Sequence, residues 1–192
     1  MTPLPSDLPT VIVLASGRGE RFRASGGSVH KLAAPLGGKP VLEHTLDAVR
    51  ASGLAWHLED VGHPGMGDSL AAAVRATPEA AGWLVLPADL PLVLPETLRR
   101  VATRLSAGAW AVQPHYEGRR GHPVAFNAVA REALFALSGE RGAARVLQAL
   151  RARDEVVDLA VDDAGIVTDI DTLADLAAAE TLLAARGLSP SR

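Results

Sequence analysis

Two groups of residues in this chain have the types and spacing to handle phosphate and a divalent cation. The first lies in "LASGRGERFRASGGSVHKL", residues 14–32, where Gly17 and Gly19 are interleaved with Arg18, Arg21, Arg23 and Lys31. Glycine lets backbone amides approach phosphate oxygens, and arginine and lysine supply the compensating charge. The second group is aspartates: Asp89 in "LPADLPLV", and Asp169 and Asp171 in "TDIDT". Hard carboxylates next to a polyphosphate are a common way to hold Mg²⁺. Each group alone also has a plainer reading, as a flexible loop or as aspartates that cap helices and shape turns. Neither standard phosphate motif is complete. G-x-G-x-x-G starts at Gly17 and Gly19 but meets Phe22, and "GGKP" at 37–40 lacks the first glycine and the hydroxyl of a Walker loop.

The elements that must position these residues follow from hydrophobic patterning. "TVIVLAS" (10–16) and "GWLVLPADLP" (82–91) are apolar runs of buried-strand type. They end at Ser16–Gly17 and at Ala88–Asp89. "IVTDID" (166–171) reads as a last short strand ending at the Asp169–Asp171 pair. "EVVDLAVDD" (155–163) is another strand, and "AWAVQPHY" and "HPVAFN" flank the polar turn "EGRRG". Helical stripes run through 40–53, with Gly53 as stop, and through 95–108, with Pro95 in the first turn. Further helices are expected at 69–77 (capped by Asp68 or Ser69), 130–137, 143–153 and 172–187. The residues from 188 onward read as a frayed tail. Strands alternating with helices predict an α/β fold with a mainly parallel sheet. Ligands in such sheets sit beyond the carboxyl ends of the strands, where both groups fall.

Composition narrows the classes. The 192 residues are 48 % hydrophobic and 21 % charged, which suits one domain spanning 1–192. A net charge of -3 argues against general nucleic-acid binding. There is no cysteine, which excludes disulfides, thiolate metal sites and a cysteine nucleophile. No run approaches the ~20 apolar residues of a membrane span. The N-terminus has no leader-like pattern, so a cytoplasmic protein is expected.

Several blocks, in order along the chain, resemble the MobA-like nucleotidyltransferases: "LASGRGERF…HKLAAPLGGKPVLEHTL", "GMGDSL", "LPADLPLV", "GRRGHPVAF", "GERGAARVL" and "DIDTLADL". The "GMGDSL" and "GRRGHP" blocks are most similar to molybdenum cofactor cytidylyltransferases. The resemblance implies a Rossmann-like three-layer sandwich of the nucleotide-diphospho-sugar transferase type. It also implies transfer of a nucleoside monophosphate, with CTP favoured, to a phosphorylated acceptor such as molybdopterin cofactor, releasing pyrophosphate. A molybdoenzyme is then a possible partner. Leu14, Ala15, Ser16, Gly17 and Gly19 would cradle the nucleotide, with Asp68 and Ser69 at the base. Arg18, Arg21 and Lys31 would neutralise the triphosphate and the charge developing at the α-phosphorus. Asp89 and Asp171, with Asp169 a further candidate, would coordinate Mg²⁺. Arg119, Gly121 and His122 would line the acceptor side. Transfer of this kind needs positioning and charge compensation more than a nucleophilic side chain.

The chain departs from the family pattern at Ser16, at Phe22–Arg23, in a longer loop to Lys31, and at Leu173. Between Gly53 and Gly65 the second βα unit is expected to be shortened. Two other readings stay open: the same chemistry on a sugar or polyol phosphate, or a non-catalytic nucleotide- or molybdenum-cofactor-binding chaperone. His57 and His63 show no ligand spacing and read as exposed loop histidines. His122 is either a turn residue or a substrate contact, and "EGRR" either a polar turn or an anion contact. Trp83 and Trp110 suit the core or a sheet edge. Residues 22–28 are expected to be mobile until nucleotide binds.

Overall fold

The computed structural model describes residues 8–188. Along them run β1 (Thr10–Leu14), α1 (Glu20–Ala24), β2 (Pro35–Leu36), β3 (Lys39–Pro40), α2 (Val41–Ser52), β4 (Trp56–Glu59), α3 (Met66–Ala76), β5 (Gly82–Pro87), α4 (Pro95–Ser106), β6 (Ala111–Tyr116), β7 (Arg119–Arg120), β8 (Val124–Asn127), α5 (Arg131–Phe135), α6 (Ala144–Arg151), β9 (Val156–Ala160) and α7 (Leu173–Leu188). β2 and β3 form a small hairpin, and the other strands make one seven-stranded sheet. β1 lies parallel between β4 and β5, β8 is antiparallel to both β5 and β6, and β9 runs parallel to β6. The directions of β4, β1, β5, β6 and β9 therefore agree, which makes the sheet mostly parallel, as the sequence pattern predicts.

The pleat explains the layers. Val11 and Val13 of β1, with Leu84 and Leu86 of β5, face a core filled from α2 and α4 by Leu46, Val49, Leu98, Val101 and Leu105. The alternate residues Ile12, Trp83 and Val85 face the opposite core, with Leu70, Val74, Leu134 and Leu150. A strand buried on both faces reads as a continuous apolar run, which is why β1 and β5 are plain in the sequence. Each such large side chain withdrawn from water contributes about 1.5–3 kcal/mol. Trp83 belongs to this core, whereas Trp110 is a half-exposed residue beside β6. α2 stops at Gly53, whose φ of 73° is the left-handed conformation glycine adopts freely.

Three local expectations are revised. "IVTDID" is not a strand. Residues Ala164–Val167 form a 3₁₀ turn opened by Asp163, whose Oδ1 accepts from Gly165 N at 2.9 Å. The segment that follows bonds piecemeal: Ile166 O accepts from His122 N, and Ile170 N donates to Asp89 O, both at 3.0 Å. Neither Asp68 nor Ser69 caps α3, which begins at Met66 with Gly65 as its cap. Asp68 Oδ2 instead accepts from Gly139 N at 2.9 Å. Part of the 22–28 stretch is helical, since α1 anchors Phe22 at 1 % exposure in the core beside β1. The shortened second βα unit is visible directly. β4 is a four-residue edge strand, and no helix stands between it and α3.

Asp163 acts as a hub behind the site. Its side chain is 1 % exposed and also receives Leu94 N, Thr97 Oγ1 and Arg186 Nη2, at 2.9, 2.7 and 3.1 Å. One carboxylate thus ties the start of α4 and the end of α7 to the turn that leads to Asp171.

Candidate active site

The site forms at the carboxyl ends of β1, β4 and β5, which lie side by side. Beyond β1 the backbone continues between its neighbours, with Ala15 N bonded to Glu59 O (2.9 Å) and Ala88 N to Leu14 O (3.0 Å). The chain then opens into Ser16–Gly19. Ser16 Oγ meets Ser69 Oγ at 2.7 Å, so the start of α3 buttresses the loop. The ring of His30 reaches back to Gly17 O at 2.9 Å. Gly19 takes φ 62° at the start of α1, a turn that leaves the adjacent amides unencumbered.

Lys31 rises from a short 3₁₀ turn and ends between two aspartates. Its Nζ lies 2.5 Å from Asp89 Oδ2 and 2.8 Å from Asp171 Oδ1. Arg21 Nη1 reaches Asp171 Oδ2 at 2.5 Å. Asp89 follows β5 directly, whereas Asp171 is held by a capping box at the head of α7. There Asp175 Oδ2 accepts from Thr172 N at 2.7 Å, and the Asp175 amide donates to Thr172 Oγ1 at 3.2 Å. Burial pulls the Lys31 ammonium down, but Asp89 and Asp171 outweigh it and leave the pKa raised. Burial likewise pushes the Asp171 carboxyl up, and Lys31 and Arg21 overcome it and hold it below the ordinary carboxylate range. Lys31 and Asp171 are thus both charged at neutral pH, with the Lys31 ammonium also bonded to Asp89. Asp89 Oδ1 is buried with no hydrogen-bond partner among the described residues.

A cleft of about 510 Å³ runs over this cluster. Of the residues expected from sequence, Leu14, Ser16, Gly17, Arg18, Gly19, Arg21, Lys31, Asp89 and Asp171 all line it. Ala15 lies in the same turn and Ser69 touches it through Ser16. Asp68 is turned to the Gly139 amide, and Asp169 is exposed off the cleft wall. Arg119, Gly121 and His122 do not line the cleft. Arg119 reaches Val167 O at 3.4 Å, and Gly121 packs so closely on the Ile166 carbonyl that a Cβ there would collide with it. His122 sits within electrostatic reach of Asp89 and Asp169, with Nδ1 buried and unpartnered. Burial lowers its pKa, and the Val85 backbone and the two aspartates only partly offset that. The wall residues not named from the sequence include His63, Pro64, Met66 and Glu140. His63 and Pro64 follow the shortened β4 unit, where no motif signals a role, and Met66 lies inside the "GMGDSL" block. Among the described residues no group of three or more His, Cys, Asp or Glu gathers as a ready-made metal cage.

A family model, the MobA-like NTP transferase domain, matches residues 11–57 and 49–156. The chain belongs to that family. This MobA-like NTP transferase has the fold of solved relatives. Rv0371c from Mycobacterium tuberculosis H37Rv superposes with a TM-score of 0.75 at 26 % identity, covering 90 % of this chain and 98 % of that one. A manganese complex of Rv0371c is similar at a TM-score of 0.69. A nucleotidyl transferase from Methanothermobacter thermautotroptrophicus shares the fold at a TM-score of 0.73 and 20 % identity, over 93 % of this chain and 99 % of that one. Among curated proteins, the bifunctional protein GlmU of Alkalilimnicola ehrlichii is 31 % identical over 121 residues, 52 % of this chain. This chain spans about a quarter of that relative, 26 % of its length. No helix among the described residues is long and apolar enough to cross a membrane.

Proposed function

We propose that this protein is a Mg²⁺-dependent nucleotidyltransferase, acting within one domain to move CMP from CTP to a phosphorylated acceptor, molybdopterin cofactor, with release of pyrophosphate. The observation that carries the reading is Lys31 clasped between Asp89 and Asp171, at 2.5 and 2.8 Å, below a glycine–arginine loop. That arrangement has a cation-binding half and a phosphate-binding half in one cleft.

The donor set fits a divalent cation. Two hard carboxylates face one point, and the buried Oδ1 of Asp89 has no hydrogen-bond partner among the described residues. Mg²⁺ typically takes one or two carboxylates and completes its shell with water and substrate phosphates. Asp89 and Asp171 would hold it, with Asp169 in reserve, and its charge would polarise the α-phosphoryl group. The protein's own part is positioning. The amides of Gly17 to Gly19 orient the triphosphate, and Arg18 and Arg21 offset its charge. Lys31, once released from the aspartates, reaches phosphate oxygens instead. The acceptor phosphate is already a nucleophile, so the site needs no strong general base. The acceptor is proposed to enter on the far side of Asp89, near His122, Gly121 and Arg119.

The test is to supply each NTP with Mg²⁺ and molybdopterin cofactor, measure pyrophosphate and identify the product by mass. Pyrophosphate with CTP, lost in Asp89→Ala, is the expected result. Tight cofactor binding with no pyrophosphate from any NTP would favour a carrier instead. Turnover only with a sugar or polyol phosphate would move the acceptor and keep the chemistry.

A further inference from the structure

The cleft wall opposite the phosphate loop carries a cluster that the transferase chemistry does not use. Glu59, the last residue of the edge strand β4, is 6 % exposed, yet it is paired with no lysine or arginine among the described residues. Its two carboxylate oxygens each meet a histidine: Oε1 lies 3.1 Å from His63 Nε2, and Oε2 lies 3.4 Å from His57 Nε2. The sequence shows two histidines in a polar stretch, but the fold makes one of them part of the cleft lining.

The bonding fixes the chemistry that His63 offers. A carboxylate oxygen accepts, so the Nε2 that faces Glu59 carries the hydrogen. The Nδ1 atom of the same ring is engaged by no hydrogen bond among the described residues. His63 is therefore held in place through one ring nitrogen by a buried acid, and the other nitrogen has no protein partner among the described residues. Its place follows from the sheet: β4 lies beside β1, and Glu59 O receives the amide of Ala15, next to the nucleotide loop. His63, Pro64 and Met66 line the same cleft as Lys31 and the glycine–arginine loop, on its β4 side.

We infer that His63 reads the nucleobase by accepting a hydrogen bond from an exocyclic amino group, with Glu59 as the residue that positions it. The inference rests on the NTP-binding reading above. It selects amino-bearing bases over their oxo counterparts: cytosine over uracil, and adenine over hypoxanthine. A site built around an acceptor rejects an oxo group because two lone pairs then face each other across a desolvated contact. His57 takes the second Glu59 oxygen and so keeps the carboxylate from rotating away.

The experiment is equilibrium binding of CTP, UTP, ATP, ITP and inorganic tripolyphosphate to the full chain with Mg²⁺. The wild type should bind CTP over UTP, and ATP over ITP, by about five- to tenfold, the size of one net hydrogen bond. His63→Phe keeps a ring and removes the lone pair, so both ratios should fall to about one while tripolyphosphate binding stays unchanged. Glu59→Gln should shrink the same ratios with tripolyphosphate again unaffected, a selective change that a merely structural loss would not produce. Should Glu59→Gln fail to fold, the His63→Phe ratios decide alone. A wild type without amino preference, or a His63→Phe variant that keeps it, overturns the role of His63 and leaves the transferase reading standing. Failure of every nucleotide and of tripolyphosphate to bind overturns both.

Discussion

Replacing Lys31 by methionine keeps the length of the side chain and removes the cation between Asp89 and Asp171. Both carboxylate oxygens lie within 2.8 Å of Nζ. They are therefore at most about 5 Å apart, where two unit charges repel by about 3 kcal/mol at an effective dielectric near 20. The two side chains keep 16 % and 22 % of their surface, so water screens part of this. A net loss of about 2 kcal/mol is expected, or roughly 4–8 °C in Tm for a chain of this size. The variant should regain most of it on adding Mg²⁺ or Mn²⁺, which restores positive charge to the gap. The wild type, already neutralised there, should gain much less from the metal alone. The assay is urea unfolding of both proteins with and without the cation at pH 7. A Lys31→Met variant as stable as wild type, or unmoved by the cation, would refute the reasoning.

The pH dependence follows from the same pair. Asp171 has a depressed folded pKa, so its contribution is complete above the ordinary carboxylate range and fades as pH falls through the folded value. Lys31 is raised above its ordinary 10.5, so its contribution is complete below that and is lost as pH climbs through the folded value. Urea midpoints should accordingly form a plateau between about pH 5 and 10, with the gap to Lys31→Met closing only as pH falls below the ordinary carboxylate range. Arg21 is 80 % exposed, so Arg21→Ala should shift Tm by no more than a degree or two while slowing pyrophosphate release. Asp163→Ala should cost about 3–5 kcal/mol in denaturant, because it strands Arg186 and the amides of Leu94 and Gly165. Gly165→Ala, whose Cβ would meet the Leu92 carbonyl, should also unfold at clearly lower urea and weaken Mn²⁺ binding.

What the sequence reveals here depends on whether a signal is local. β1, β5 and α4 are legible because burial on two faces, or on one stripe, is written into consecutive residues. Asp89 and the glycine–arginine loop are legible because they directly follow the apolar runs of β5 and β1. The helix expected from Thr172 onward is α7, with Asp171 just before it. "IVTDID" misleads because Ile166 and Ile170 are buried by a turn and a loop rather than by a ladder, and burial alone gives the same apolar spacing. The start of α3 misleads for a related reason. Gly67 N bonds to Gly139 O at 2.7 Å, a contact between segments far apart in the chain, and Asp68 is spent there instead of as a cap. The Glu59–His63 pair could not be read either, since its meaning comes from the burial of Glu59 beside β1.

Asp163 also has a consequence for how the site moves. Arg186 in the last turns of α7 and the amide of Leu94 before α4 bond to the same carboxylate that shapes the turn before Asp171. A loop tied this way does not open by itself; it opens when its neighbours let go. The carboxylate that receives the lysine therefore belongs to the same cooperative unit as the C-terminal helix, and their amides should exchange hydrogen on a common schedule. The Ser16–Gly19 loop before α1 is tied instead to Ser69 of α3 and to His30, so the two walls of the cleft belong to different units.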